Sequence, residues 1–185
     1  MKSDTKEPGT NVTAGEVCDG TLDAAAQAAL RRLSGVDRFD ELTGTNGAGR
    51  SNVFSVRYAV QHLHDEYSLL GACLIYKNGV GNDHPLLDIR FSAEERYPKT
   101  TEKQPYRLGV YAGIGRDGAN VFFHCPTKAP SAKTVTGDTK YVQADMYSAI
   151  SLRGDHQDTD RIAILRSISR AVAREAGCAS EAGLG

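Results

Sequence analysis

Four cysteines, at positions 18, 73, 125 and 178, divide the 185-residue chain at intervals of 55, 52 and 53 residues. No two are close enough for a Cys-x-x-Cys metal pair, and each falls in a different expected element. Such spacing points to disulfides in an oxidising compartment, or to buried thiols in a cytosolic protein. Cys18 precedes the first expected helix and Cys178 ends the last, while Cys73 and Cys125 lie in expected strands. Of the three possible pairings, the economical one joins Cys18 to Cys178 and Cys73 to Cys125. The first bridge would then close a loop of about 160 residues and contribute about 4–5 kcal/mol, the second about 4 kcal/mol, by restricting the unfolded chain.

The chain is long enough to bury a core of its own as one domain. Hydrophobic residues make up 40% and charged residues 24%, which argues against disorder. With 22 basic against 23 acidic residues there is no cationic excess to neutralise phosphates, so nucleic-acid binding is not expected. No apolar run approaches the ~18 residues that would mark a transmembrane helix. Residues 1–17, MKSDTKEPGTNVTAGEV, lack the apolar centre of a signal peptide. Their polar composition reads as a flexible tether, fitting a chain whose leader or anchor has been removed, with residues 18–185 as one globular domain.

The stretch LDAAAQAALRRL predicts a helix with Leu22, Ala26, Ala29, Leu30 and Leu33 on one face, capped by Asp19 or Thr21 and ended by Gly35. SNVFSVRYAVQHLHDEY fits both a helix and a strand. Its length of about 15 residues favours a helix. β signals follow in LLGACLIYK, PLLDIRFS, RLGVYAGI, ANVFFHC and KYVQADMYSAISL. TDRIAILRSISRAVAREAGC predicts the clearest helix, with an apolar stripe of Ile162, Leu165, Ile168, Val172 and Ala176, capped by Asp158 or Thr159. About five strands bracketed by helices, with no βαβ alternation, predict an α+β fold: a mainly antiparallel sheet packed by the N-terminal and C-terminal helices.

Two glycine motifs imitate nucleotide sites. Gly44 to Ser51 reads GxxxxGRS, but Arg38–Leu42 before it is charged and broken, and Arg50 is no substitute for the P-loop lysine. Gly113 to Gly118 reads GxGxxG, yet Ala119–Cys125 after it has strand composition, so the motif is expected to be a hairpin turn at Asp117-Gly118. His62 and His64 sit two residues apart, on opposite sides of any helix, and so are not expected to share a metal ion. His84 beside Asp83, His124, and His156 beside Asp155 are isolated. Asp155, Asp158 and Asp160 suit a helix start. No residue acquires a catalytic, cofactor-binding or metal-ligating role on these patterns. Arg166, Arg170 and Arg174 recur every four residues opposite the apolar stripe, as a solvated face or a contact for an acidic partner or envelope polyanion.

Cys18-Asp-Gly-Thr-Leu before an Ala-rich helix, and the ending Arg170-Ala-Val-Ala-Arg-Glu-Ala-Gly-Cys178, resemble uncharacterised extracytoplasmic proteins of actinomycetes, often held by a lipid or membrane anchor. The resemblance implies a compartment, supports pairing of the end cysteines, and transfers no catalytic residue. The expected function is an extracytoplasmic binding or sensing module, secreted or surface-anchored, with no catalytic set evident. The alternatives are a small extracytoplasmic hydrolase assembled from His62, His84, His124 and nearby acids, and a structural envelope protein whose arginine helix packs on a partner.

Overall fold

The computed structural model describes residues 10–47, 49–79, 84–148 and 156–185. Seven antiparallel strands form one sheet in the order β1-β2-β3-β4-β7-β6-β5. They are β1 (Val12–Thr13), β2 (Arg38–Glu41), β3 (Ala72–Lys77), β4 (Leu87–Glu94), β5 (Tyr111–Gly115), β6 (Gly118–Thr127) and β7 (Thr139–Ser148). The α+β class holds, with seven strands among the described residues where the sequence predicts about five. The two additions are β1 and β2. Arg38-Phe39-Asp40-Glu41 looks too charged for a strand, but Phe39 is fully buried and the Asp40 carboxylate accepts hydrogen bonds from Asn11 N, Asn78 Nδ2 and Gly79 N. A buried carboxylate satisfied by two backbone amides and a side-chain amide fits where a bare one would not.

In β4 the burial alternates without a break, Leu87, Ile89, Phe91 and Ala93 pointing inward. Val121, Phe123 and Cys125 of β6 and Val142, Ala144 and Met146 of β7 continue the same apolar face. Helix α4 (Gln157–Ala176) packs on that face, and α2 (Ala24–Ser34) packs on α4. Ile162, Leu165, Ile168 and Val172 are buried as their spacing predicts, and Ile164 and Ala173 join them because α4 has neighbours on two sides. Ser167 fastens the two helices, accepting from Asp23 N and donating to Thr21 O, both at 2.8 Å. The cap of α2 is Asp23, which accepts from Ala26 N; Asp19 and Thr21 lie upstream of it. The cap position of α4 is His156, with no side-chain cap; the helix starts at Gln157, so Asp158 and Thr159, expected as caps, fall inside its first turn, and Asp160 turns inward to Arg32 at 2.7 Å. Gly35 and Gly177 end the helices in left-handed conformations, as expected of glycine.

The segment expected as a long helix is helical only over α3 (Val56–Gln61), capped by Ser55. Tertiary contacts end it. Leu63 is buried and its carbonyl accepts from Ala93 N, and His64 is buried between two threonines. The expected tether ends earlier than residue 17: Val12 and Thr13 pair with Phe39 and Arg38, and Ala14 and Val17 are fully buried. Residues 1–9 of it lie outside the described residues, as do Asp83, Asp155 and the end of the last strand expectation.

The disulfides are Cys18–Cys73 and Cys125–Cys178, with Cα separations of 5.4 and 5.2 Å. This corrects the expected pairing of Cys18 with Cys178 and Cys73 with Cys125. Cys73 on β3 and Cys125 on β6 are separated by β4 and β7, roughly 14 Å across the sheet, far beyond a bridge's reach of about 7 Å. Cys18 lies instead on α1 (Val17–Gly20), a single turn packed against β3. Within it Cys18 and Asp19 take left-handed φ values of 50° and 60°, which strain non-glycine residues by about 1–2 kcal/mol each. The bridge and a hydrogen bond from Cys18 N to Glu41 Oε1 hold the turn.

Burial pushes the Glu41 carboxyl up to about 7, with Asp19 adding to the rise. The folded state therefore holds this proton more tightly than the unfolded chain, where a glutamate titrates near 4.5. Its contribution is complete below about pH 4.5 and is lost as pH rises through about 7. Between about pH 5 and pH 8 it is expected to lower stability by about 1–2 kcal/mol after solvent screening. Thermal melts across that range should show the fall in the parent chain and a flatter profile in Glu41→Gln. An equal slope in both would remove Glu41 from this role. A non-reducing peptide map should yield Cys18–Cys73 and Cys125–Cys178 peptides, each closing a loop worth about 4 kcal/mol. A Cys18–Cys178 peptide would contradict the fold.

Candidate functional site

The alternation that buries one face of the sheet under α4 leaves the other to polar and aromatic side chains, and among the described residues only the short 3-10 turn Tyr67–Leu69 and loops lie against it. Across β4, β7, β6 and β5 one row runs Arg90, Asp145, Asn120 and Gly113. The next runs Ser92, Gln143, Phe122 and Tyr111, and a third runs Glu94, Tyr141 and His124. Three adjoining concavities of about 180, 280 and 350 Å³ follow these rows. The first two share Leu70 and Arg90, and the last two share Asp145. Together they form an open groove along the outer face.

Arg90 organises its middle. Its Nε and Nη2 donate to the two oxygens of Asp88 at 3.0 and 3.3 Å, and its guanidinium lies 4.6 Å from the Tyr67 ring centroid. A cation held by a two-point carboxylate pair and an aromatic face is fixed in direction. The carboxylate of Asp145, directly across from Arg90, makes no hydrogen bond or ion pair among the described residues. Partial burial, and then the nearby Asp88 carboxylate, raise its proton affinity. Ser92 Oγ donates to Glu94 at 2.9 Å. A Cβ at Gly113 would lie 2.7 Å from Asn120 Oδ1 and 3.0 Å from the Tyr111 hydroxyl, so glycine there is what lets those two side chains lie flat over β5.

Loops shape the rim. Tyr58 stacks on His62 at 4.0 Å, and His62 Nδ1 pairs with Asp65. His64 is buried, with Nδ1 2.9 Å from Thr136 Oγ1 and Nε2 2.8 Å from Thr127 Oγ1, and its carbonyl accepts from Val135 N. The loop carrying Val135 is thereby tied to the segment after α3. Val135 and Thr136 line the central concavity opposite Tyr67.

The histidines do not form one constellation. His62 and His64 have separate partners, although the helix expected to hold them apart ends at Gln61. His124 pairs with Glu181 at 3.3 Å and meets the Tyr141 ring edge-on, and His84 is exposed. Among the described residues no group of three or more His, Cys, Asp or Glu could hold a metal ion. Gly115 pairs with Gly118 to close the β5–β6 hairpin, the geometry expected of the second glycine motif. The first glycine motif is a loop closed by a Thr45–Ser51 bridge, and the chain after it reaches α3 only at Val56.

The arginine stripe is heterogeneous. Arg170 Nε donates to Leu184 O at 3.1 Å and its Nη1 lies 3.8 Å from Asp23. Arg166 is half-buried and Arg174 exposed. Asp160 is buried against Arg32, while exposed Asp158 lies 3.6 Å from Arg161.

The outer-face set of Arg90, Asp145, Gln143 and Tyr147 goes unnoticed in a motif search because its signal is only alternation: Asp88-Ile-Arg-Phe-Ser-Ala-Glu and Tyr141-Val-Gln-Ala-Asp-Met-Tyr each place polar residues on one side. Comparison with known family models, curated proteins and solved structures finds no match.

His64→Ala should destabilise the chain by about 2–3 kcal/mol, since it removes buried volume and takes a hydrogen bond from Thr136 Oγ1 and from Thr127 Oγ1, which keeps only Thr139. Denaturant melts read that loss, and amide exchange should speed up across residues 128–138. Unchanged exchange there would mean the loop does not depend on His64.

Proposed function

We propose that the chain is an extracytoplasmic binding module, secreted or held at the cell surface, that takes a polar ligand in the outer-face groove without transforming it. One observation carries the reading. Among the described residues the sheet face opposite α4 stays open apart from the short turn of Tyr67–Leu69 and its rim loops, and its polar groove is lined by Val53, Tyr67 and Val135, three of the five large apolar side chains exposed among the described residues, with Tyr147 on the same face. Exposed aromatic and apolar groups around convergent polar ones are what ligand recognition needs.

Two intrachain disulfides support an oxidising, extracytoplasmic compartment. No helix among the described residues is long and apolar enough to cross a membrane. The polar composition of residues 1–9 and the likeness of the chain's ends to anchored envelope proteins support attachment at the surface. Binding is favoured over hydrolysis because the groove is open along its length, where a reaction site would exclude water, and His62, His64 and His124 are engaged with separate local partners.

The full chain, labelled with ¹⁵N, should show saturable amide shifts at Arg90, Gln143, Asp145 and Tyr147 with at least one member of a panel of soluble cell-envelope saccharides and peptides. Asp145→Lys combined with Tyr147→Ala should weaken that binding by about tenfold or more. Shifts confined to the arginine face of α4, or turnover of the added compound, would replace this reading.

A further inference from the structure

We propose that the concavity on the β3 side of the groove is an oxyanion site, holding a carboxylate or phosphoryl group of the ligand between Arg50 and Arg90. The proposal rests on the groove reading and adds the chemistry of what enters. The cavity of about 180 Å³ is lined by both guanidiniums and by Ser51, Asn52, Tyr58 and Ser68, and no Asp or Glu is among its described lining residues. Donors therefore dominate its wall. Asp88 offsets the Arg90 charge, and Asp65 and Glu66 lie near enough to act on Arg50, but none of the three lines the cavity, so an anion entering it meets both arginines directly.

Arg50 has no ion pair among the described residues. Its Nη1 donates to the Tyr58 hydroxyl at 3.1 Å, and that hydroxyl donates to Leu69 O at 3.3 Å. Its backbone is fixed by Asn46, whose N donates to Arg50 O at 2.8 Å and whose Oδ1 accepts from Arg50 N at 3.0 Å. The loop thus presents the side chain from a closed turn. Arg90 commits Nε and Nη2 to Asp88 and leaves Nη1 uncommitted. A guanidinium whose fork is fixed is suited to planar, two-point recognition of carboxylate or phosphate. The charge of the groove also changes along its length, since Asp65, Glu94 and Asp145 line the neighbouring concavity. An anionic group is therefore directed to the Arg50 end.

Inorganic phosphate and acetate, titrated separately into the full ¹⁵N-labelled chain, are the probes. At least one should give saturable shifts at the Nε–H signals of Arg50 and Arg90 and at the amides of Ser51 and Asn52. Which anion binds more tightly distinguishes a phosphoryl from a carboxylate ligand. Arg50→Gln should weaken binding by about tenfold with an unchanged melting temperature. Arg50→Lys should fall between, having the charge without the fork, and Arg174→Gln should bind as the parent does. Shifts that stay linear with both anions, or full affinity in Arg50→Gln, would overturn the site. If phosphate or acetate binds at Arg50 while Gln143 and Tyr147 respond to no envelope compound, the oxyanion site stands and the wider groove reading fails.

Discussion

The rest of the structure depends on the burial of α4 against a single face of the sheet. Ile89, Phe91, Val121, Phe123, Val142 and Ala144 all point to that side and are fully buried, each side chain contributing about 1–3 kcal/mol by leaving water. Because side chains alternate along a strand, the same register that seats these residues sets Arg90, Asp145 and Asn120 on the other side. The core and the groove are thus one decision made twice, and a slip of one residue in β4 or β7 would exchange them.

Much of the architecture is legible in periodicity. The α4 stripe of Ile162, Leu165, Ile168 and Val172, the α2 face of Ala26, Ala29, Leu30 and Leu33, and the Asp117-Gly118 hairpin follow from spacing of 3.6, spacing of 2 and turn chemistry. Non-local contacts hide the rest. β2 reads as a charged loop until Asp40 finds its amide donors on Asn11, Asn78 and Gly79, and α3 is cut short by Leu63 and His64, whose partners lie tens of residues away. The groove is legible as polar alternation in β4 and β7, but the strand order that sets Arg90 beside Asp145 has no signature in either segment alone. The disulfide pairing is hidden for the same reason: it depends on β4 and β7 standing between β3 and β6.

The two bridges sit on the buried side of the sheet, away from the groove. Cys18–Cys73 fastens the left-handed turn of α1 to β3, and Cys125–Cys178 fastens the end of α4 to β6. The sheet is therefore anchored near both of its lateral margins while its open face stays free of covalent constraint. That division lets the outer-face side chains differ in chemistry without disturbing what holds the fold together.

Neither bridge encloses or interlocks with the other, since the first cysteine pairs with the second and the third with the fourth. A chain that emerges from its N-terminus into an oxidising environment delivers its cysteines in that same order. Each newly arriving partner then meets the thiol already waiting for it, and oxidation as fast as emergence yields the native connectivity with no wrong bridge to be reshuffled. A nested pairing of Cys18 with Cys178 would have left the Cys18 thiol open to Cys73 and Cys125 until the end of the chain had emerged. The sequential arrangement turns the direction of delivery into a proofreading device.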